Sequence, residues 1–425
     1  MTTANAYLFN GKKLISYSHF DDYRDTLLNA GIEVTSTTIE GIFEEIMEEH
    51  SDRKREADRL FFEHVFYGQL KNIYFHKINN GLPQKNGFIQ RVTRIINTMN
   101  RKESIPPQHH DMFNPAGFYA LDVLNIENKG NVFLLGFDYT ENNNRIELAR
   151  FLVAQVVIKN GDPVYYLAAL EINYRENFYL LMFRNLIGID AVPQTGLLDE
   201  EKWNKTMNGY ISKINNLILD PLNIRENFRF RKDRAGMYNM CKQLDDELLV
   251  GYRAHIAEKI GTPVESSINS WFDALFAEEA GPSDIQKRSL KDKICSQVLA
   301  LYLKNKPEIN LVEIARGLDQ VGYTTKIEFK ANQAGRGATK SKSGSEPIAA
   351  EDMFHSLYID FKDALELPKW SLAWFTNEED DYMQTTIHIT KSYFKVVFLP
   401  TRHLDRESIY HVITYIGGFR NYDIP

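Results

Sequence analysis

Cysteine is nearly absent from the 425-residue chain: Cys241 and Cys295 are the only two. That excludes a disulfide scaffold and a structural zinc site of the cysteine type. Long apolar runs are missing as well. The stretch around Leu152–Ile158 is among the longest and is far too short to span a bilayer. The N-terminal MTTANAYLFNGKK lacks the basic-then-apolar order of a signal peptide, so the expectation is a soluble cytoplasmic protein with no membrane partner. No self-similar period of roughly 20–50 residues is present, which excludes a solenoid.

Sequence signatures of common chemistries are missing too. A phosphate loop needs clustered glycines, so that successive N–H groups meet one anion, and a lysine for the outer charge. No GxxxxGK[ST] occurs, and Gly335-Arg-Gly337 lacks the flanking strand and helix and reads as linker. No HExxH helix and no GxSxG elbow is found. His109, His110 and Asp111 are neighbours on a Pro-Pro loop, and adjacent side chains rarely converge on one ion without a distant third ligand. No metal site and no cofactor is expected from them.

What is present has ordinary globular proportions. Hydrophobic residues make up 43% and charged residues 25%, and 50 Lys+Arg against 57 Asp+Glu leave a net charge of -7. The length predicts two or three domains. Pattern divides the chain into five segments. Residues 1–69 form an N-terminal α/β extension, with strand-like pieces at 6–9 and 13–18, a helix closed by Gly31, and one long helix from about Ser36 to Tyr67. Residues 70–196 are rich in sheet: alternating Tyr, Phe, Val and Ile at 118–124, 132–139, 152–158, 164–172 and 179–186 are separated by Asn-Asn-Asn and Asn-Gly-Asp clusters. Residues 197–330 are mainly helical, broken at Asp220-Pro221, Gly261-Thr-Pro263 and Gly281-Pro282. Residues 331–349 have the composition of a flexible basic linker, and 350–425 form a C-terminal β-rich unit with strands near 356–361, 385–390 and 394–399. The fold class expected is α+β: a mixed or antiparallel sheet domain, a helical segment, then a small C-terminal β unit.

Two chemistries compete for the functional reading. A restriction-type nuclease holds Mg²⁺ between an acid on one strand and an acid-x-Lys on the next. Asp138, Asp162 and Glu171 are the acids available, but Asn173 stands where the lysine belongs and supplies no positive charge. Such an enzyme, with Mg²⁺ as cofactor and phage defence as a setting, is the alternative. The basic segments carry the leading reading. Between Arg225 and Arg234 there are five cations (Arg225, Arg229, Arg231, Lys232, Arg234), two acids, and the interleaved Phe228 and Phe230. The linker and its approach add Lys326, Lys330, Arg336, Lys340 and Lys342 against Glu328. Lysine and arginine neutralise phosphates and release counterions, and aromatics stack on bases or anchor a loop.

Three stretches resemble the 37-kDa nucleoid-associated protein family of bacteria. They are Leu70–Gly81 (LKNIYFHKINNG), the pair Ile285–Val298 (IQKRSLKDKICSQV) and Pro307–Leu318 (PEINLVEIARGL), and Ser356–Leu367 (SLYIDFKDALEL). They are similar to that family's opening strand, late helix pair and C-terminal strand, over roughly residues 70–400. The resemblance implies DNA binding with little sequence preference in the bacterial nucleoid, no enzymatic activity, and no catalytic residues. The expectation is therefore a nucleic-acid-binding protein, most simply of DNA, that uses Arg225, Arg229, Arg231, Lys232 and Arg234 with Lys340 and Lys342 as a mobile supplement. A protein-interaction module that self-associates or docks a partner through the acidic helix 40–63 is the third possibility.

Overall fold

The computed structural model describes residues 7–101, 103, 105–184, 207–277, 279–330, 335–364, 366–376, 381–399 and 403–420. They belong to two compact units, Met1–Phe228 with Thr401–Tyr410, and Arg229–Pro400 with His411–Pro425. The fold is α+β in both. The boundary expected near Leu197, the end of the strand expected to reach residue 186, and residues 331–334 of the linker lie outside the described residues.

The first unit is built on an antiparallel sheet in the order β2 (Phe118–Tyr119), β3 (Val132–Asn142), β4 (Arg145–Lys159), β5 (Asp162–Asn173), β6 (Phe178–Phe183) and β1 (Asn72–Lys77). Its hairpins use the turn chemistry that the sequence announces. Asn143 and Asn144 join β3 to β4 at φ +50° and +61°, and Asn160-Gly161 join β4 to β5 at +54° and +89°. Both pairs take the left-handed conformations that match a hairpin's twist. Opposite faces of the sheet are covered by α3 (Lys54–Gly68), through Phe62 and Arg150, and by α4 (Lys85–Met99), whose Phe88 meets Phe137, Tyr139 and Tyr174. A further helix of this unit, α5 (Met207–Ile214), buries Tyr210, whose hydroxyl donates to Tyr166 O at 3.0 Å.

Two N-terminal expectations are corrected. The strand-like residues 13–18 fall mostly in a 3₁₀ helix, Gly11–Tyr17, because Leu14 and Tyr17 are buried three residues apart rather than on alternate positions. The long helix expected over 36–67 is two helices, α2 (Ile39–Glu49) and α3, divided at His50 and a 3₁₀ turn, Ser51–Arg53. Ile42, Phe43 and Ile46 of this segment are buried in the unit's own core. Before them, α1 (Phe20–Asn29) closes as expected on Gly31 at φ +75°, where Ile32 N–H donates to Leu27 O and Gly31 N–H to Leu28 O.

In the second unit the strands run β11 (Phe394–Phe398), β10 (Tyr382–Ile389), β9 (Lys369–Phe375), β7 (Gly322–Lys330) and β8 (Arg336–Lys340), all antiparallel. The inner face is apolar. Trp370 and Trp374 are fully buried there, and their indole N–H groups donate to Thr324 Oγ1 at 3.1 Å and Thr385 Oγ1 at 2.7 Å. At ~200 Å² and 25 cal/mol/Å², each contributes about 5 kcal/mol of burial. Three helices lie against this unit's core: the 46-residue α6 (Phe230–Leu275), α9 (Asp352–Lys362), and α10 (Arg406–Phe419) from His411 onward. Between α6 and the sheet in sequence come α7 (Asp284–Lys304), which opens with a Ser283–Gln286 capping box, and α8 (Leu311–Gly317).

Three further expectations are overturned. Pro263 does not break α6, which runs through it. Residues 356–361 are helix, because Phe354, Tyr358, Ile359 and Phe361 are buried at helical spacing. Residues 336–340 are an edge strand and not a linker. Polar composition suggested disorder, but the strand needs only small residues inward, and Gly337 lies directly beneath the Phe329 ring. Ser341 N–H to Thr325 O (2.8 Å) and Lys342 N–H to Glu351 Oε1 (2.6 Å) hold the segment that follows.

Candidate nucleic-acid interface

Strand alternation sends every second residue of the second unit's sheet away from the tryptophan core. On β7 and β8 these are Lys326, Glu328, Lys330 and Arg336, Ala338, Lys340, in register as Lys326↔Lys340 and Lys330↔Arg336. On β9, β10 and β11 the sequence continues with Lys369, opposite Glu328 and His388, and Lys395, opposite His388. The outer face thus carries six Lys or Arg side chains. Glu328 is the one acidic residue in the five strands, and Lys369 Nζ already lies 3.8 Å from its Oε2. Lys330, Arg336 and Lys340 are exposed; Lys326, Lys369, His388 and Lys395 are half-buried.

The electrostatics agree with that count. Burial, with Lys395 and Lys369 close by, pushes the His388 imidazole down to about 4, so it is neutral at pH 7. Burial also holds the Lys395 ammonium below its ordinary range. At one end of the face a groove of about 360 Å³ is lined by Arg234, Lys330, Arg336, Lys369 and His388, with Glu328. Arg234 reaches it from the first turn of α6, held by Ile389 O (2.9 Å) and by Glu366 (3.5 Å). The opposite end is capped by the segment after β8: Tyr323 OH donates to Ser345 O at 2.5 Å and Gln384 Nε2 to Gly344 O at 2.6 Å.

The sequence-derived basic residues are distributed as follows. Arg234 and Lys340 belong to this face or its rim, Lys340 as part of a strand and not of a mobile arm. Lys342 is exposed just beyond β8. Arg229 precedes α6 and Arg231 and Lys232 occupy its first turn, all three exposed, with the Arg231 and Arg234 guanidinium groups 5.9 and 5.4 Å from the centroid of the Phe230 ring. Arg225 belongs to the first unit, on a segment tied to β1 by Asn79 N–H to Arg225 O and Asn227 N–H to Lys77 O. Its neighbour Glu226 accepts from Tyr179 and lies 3.5 Å from His76. The sequence reading missed Lys369, His388 and Lys395. Strict alternation in KWSLAWF, YMQTTIHI and FKVVF was the signal that could have found them.

The nuclease acids do not converge. Asp138, Arg150 and Glu171 are register neighbours on β3, β4 and β5, but Asp162 begins β5 nine residues from Glu171, ~30 Å away. Asp138 is engaged by Arg150 through Nε at 2.7 Å and Nη2 at 2.6 Å, and accepts from Tyr119 at 2.8 Å. Arg150 also meets Glu63 at 2.9 Å. Glu171 is fully buried and accepts from the hydroxyls of Tyr67 and Tyr410, with Arg406 at 3.9 Å. Its partners Tyr67 and Arg406 line a cleft of about 780 Å³, but Asp22, Asp25, Glu63, Asp405 and Glu407 line it too, five acids to one arginine, a balance that repels phosphate. Among the described residues no group of three or more His, Cys, Asp or Glu is arranged to hold a metal ion, and no helix is long and apolar enough to cross a membrane. The chain matches no family model, no curated protein and no solved structure.

Proposed function

We propose that this chain binds nucleic acid, DNA in the first instance, through the phosphate backbone and with little sequence preference. One observation carries the reading: in a chain of net charge -7, six Lys or Arg side chains share one sheet face with a single acid. Phosphate contacts position a protein without reading bases, and a face of lysines offers point charges rather than base-edge donors in fixed forks. The bacterial nucleoid is the setting that the family resemblance adds. The acids Asp138, Asp162 and Glu171 support no hydrolytic step, because one is remote and the other two are engaged by Arg150 and by tyrosine hydroxyls.

The test is a titration of labelled mixed-sequence duplex at two salt concentrations. With Glu328 offsetting one cation, about five phosphates are neutralised, the log–log salt slope is about −4.5, and affinity falls roughly 500-fold between 50 and 200 mM salt. Lys326→Glu with Lys340→Glu should cut that slope by about two units. Absence of binding at 50 mM salt, or an unchanged slope in the double variant, refutes the reading.

A further inference from the structure

The outer face of the second unit's sheet is recessed at its Arg234 end. β9 begins at Lys369, which pairs with Glu328, so β7 overhangs it by Lys330, and β8 sets Arg336 beside that overhang. β10 ends at Ile389. With both strands ending there, the first turn of α6 fills the corner. Leu367 N–H donates to Arg234 O at 3.2 Å, and Arg234 Nε and Nη2 both donate to Ile389 O, at 3.2 and 2.9 Å. The groove this leaves, about 360 Å³, lies at the low end of small-ligand pockets, ~300–1,000 Å³. It has room for roughly a dozen non-hydrogen atoms even at water's ~30 Å³ each. A phosphate with its sugar fits that space; the broad wall of a duplex does not.

Charge selects the phosphate. Arg234, Lys330, Arg336 and Lys369 line the groove with Glu328, and Glu366 stands 3.5 Å from Arg234 Nη1. Four positive and two negative groups leave a net charge of +2. His388 is neutral at pH 7, with one ring nitrogen to donate and one to accept. A phosphodiester inside a strand carries one negative charge. A terminal phosphomonoester carries about −1.5 to −2 at pH 7, on three strong acceptor oxygens. Two charges of one sign facing two of the other, in a recess rather than on an open face, separate a strand's end from its interior. The Arg234 guanidinium is also fixed before any ligand arrives, because its side chain is 16% exposed and one carbonyl holds two of its N–H groups.

We infer that this groove is a site for a phosphate monoester, and that its ligand is the phosphorylated end of a nucleic-acid strand whose duplex body lies along the lysines of the same sheet face. The inference rests on the nucleic-acid reading above and adds recognition of an end to sequence-tolerant contact with the backbone.

The test is a set of titrations in 50 mM salt. The duplexes are identical in sequence, each with a short single-stranded overhang that ends in a 5′-phosphate, a 3′-phosphate or only hydroxyls. A phosphate at one of these ends should tighten binding about tenfold or more, the worth of one hydrogen bond to a charged group. Lys330→Gln with Arg336→Gln should erase that preference. Lys326→Gln with Lys340→Gln removes as many cations from the same two strands outside the groove, so it should weaken all three duplexes and keep the preference. Adenosine 5′-monophosphate at millimolar concentration should displace only the end-dependent part. Circular dichroism verifies that the variants fold. Equal affinity for phosphorylated and hydroxyl ends, with salt-dependent binding intact, overturns this inference and leaves the nucleic-acid reading standing; no binding of any duplex removes both. A preference that survives Lys330→Gln with Arg336→Gln puts the site elsewhere and also overturns it. Adenosine 5′-monophosphate that binds as tightly as the phosphorylated duplex makes the free nucleotide the ligand and overturns the strand-end assignment.

Discussion

Asp233 and Arg420 form an ion pair with both side chains at 0% exposure, Nε to Oδ1 at 2.6 Å, and the guanidinium lies 4.0 Å from the Phe394 ring centroid. The pair joins the first turn of α6 to the residue that follows α10, where Gly236 leaves room for the backbone of Phe419. Replacing Arg420 with Ala takes away the nearest countercharge and leaves a buried carboxylate, a change that costs about 3–5 kcal/mol. For a unit of this size each kcal/mol lowers Tm by ~2–4 °C, so the transition of the second unit should fall by roughly 6–20 °C. Asp233→Leu with Arg420→Met removes both charges together and keeps apolar volume. Apolar replacement of a buried pair is often neutral, so the double variant should lie within ~2 kcal/mol of the parent, far from the sum of two single losses. Calorimetry of the parent, Arg420→Met, Asp233→Leu and the double variant closes the cycle, with Arg420→Ala measured beside them. A drop below 3 °C for Arg420→Ala, or a double variant as unstable as the two singles added together, refutes the reasoning.

Two further outcomes follow from the geometry. His64 is buried with its ring stacked on His403 at 3.8 Å and its Nε2 accepting from His19 N–H, and burial, then His403 and His19, hold its imidazole far below the ordinary 6.5. The unfolded chain therefore takes up this proton first, and stability falls as pH drops below 6.5, by up to about 1.4 kcal/mol per pH unit. The difference in urea midpoint between wild type and His64→Gln at pH 7 and pH 5 isolates the effect; a pH-independent difference contradicts it. In DNA titrations, Arg229→Glu and Arg231→Glu should each lower the salt slope by at most about one unit, less together than Lys326→Glu with Lys340→Glu, because they flank the sheet face without belonging to it. A larger loss at α6 would move the interface there.

Local chemistry was legible without coordinates wherever a few adjacent residues decide the outcome. The Asn-rich hairpin turns and the Gly31 helix stop were readable because each is fixed by backbone conformation and hydrogen bonds within a handful of residues. Sequence also contained the cations of the candidate site, as Arg234, Lys326, Lys330, Arg336 and Lys340, and the failure of Asn173 to act as a catalytic lysine. What it did not determine was where those cations point. Residues 336–340 have too little apolar content to predict a strand, and they become one because β7 offers unpaired backbone groups and the Phe329 ring rests on Gly337. Ser356–Phe361 satisfies either period, and helical burial against the unit's core chose the helix. Lys369, His388 and Lys395 are scattered over 27 positions and meet only through strand register. Asp162 and Glu171, nine positions apart, are held at opposite ends of one strand by the same register. Tertiary pairing converts separations along the chain into distances in space, and no local property of the residues contains that conversion.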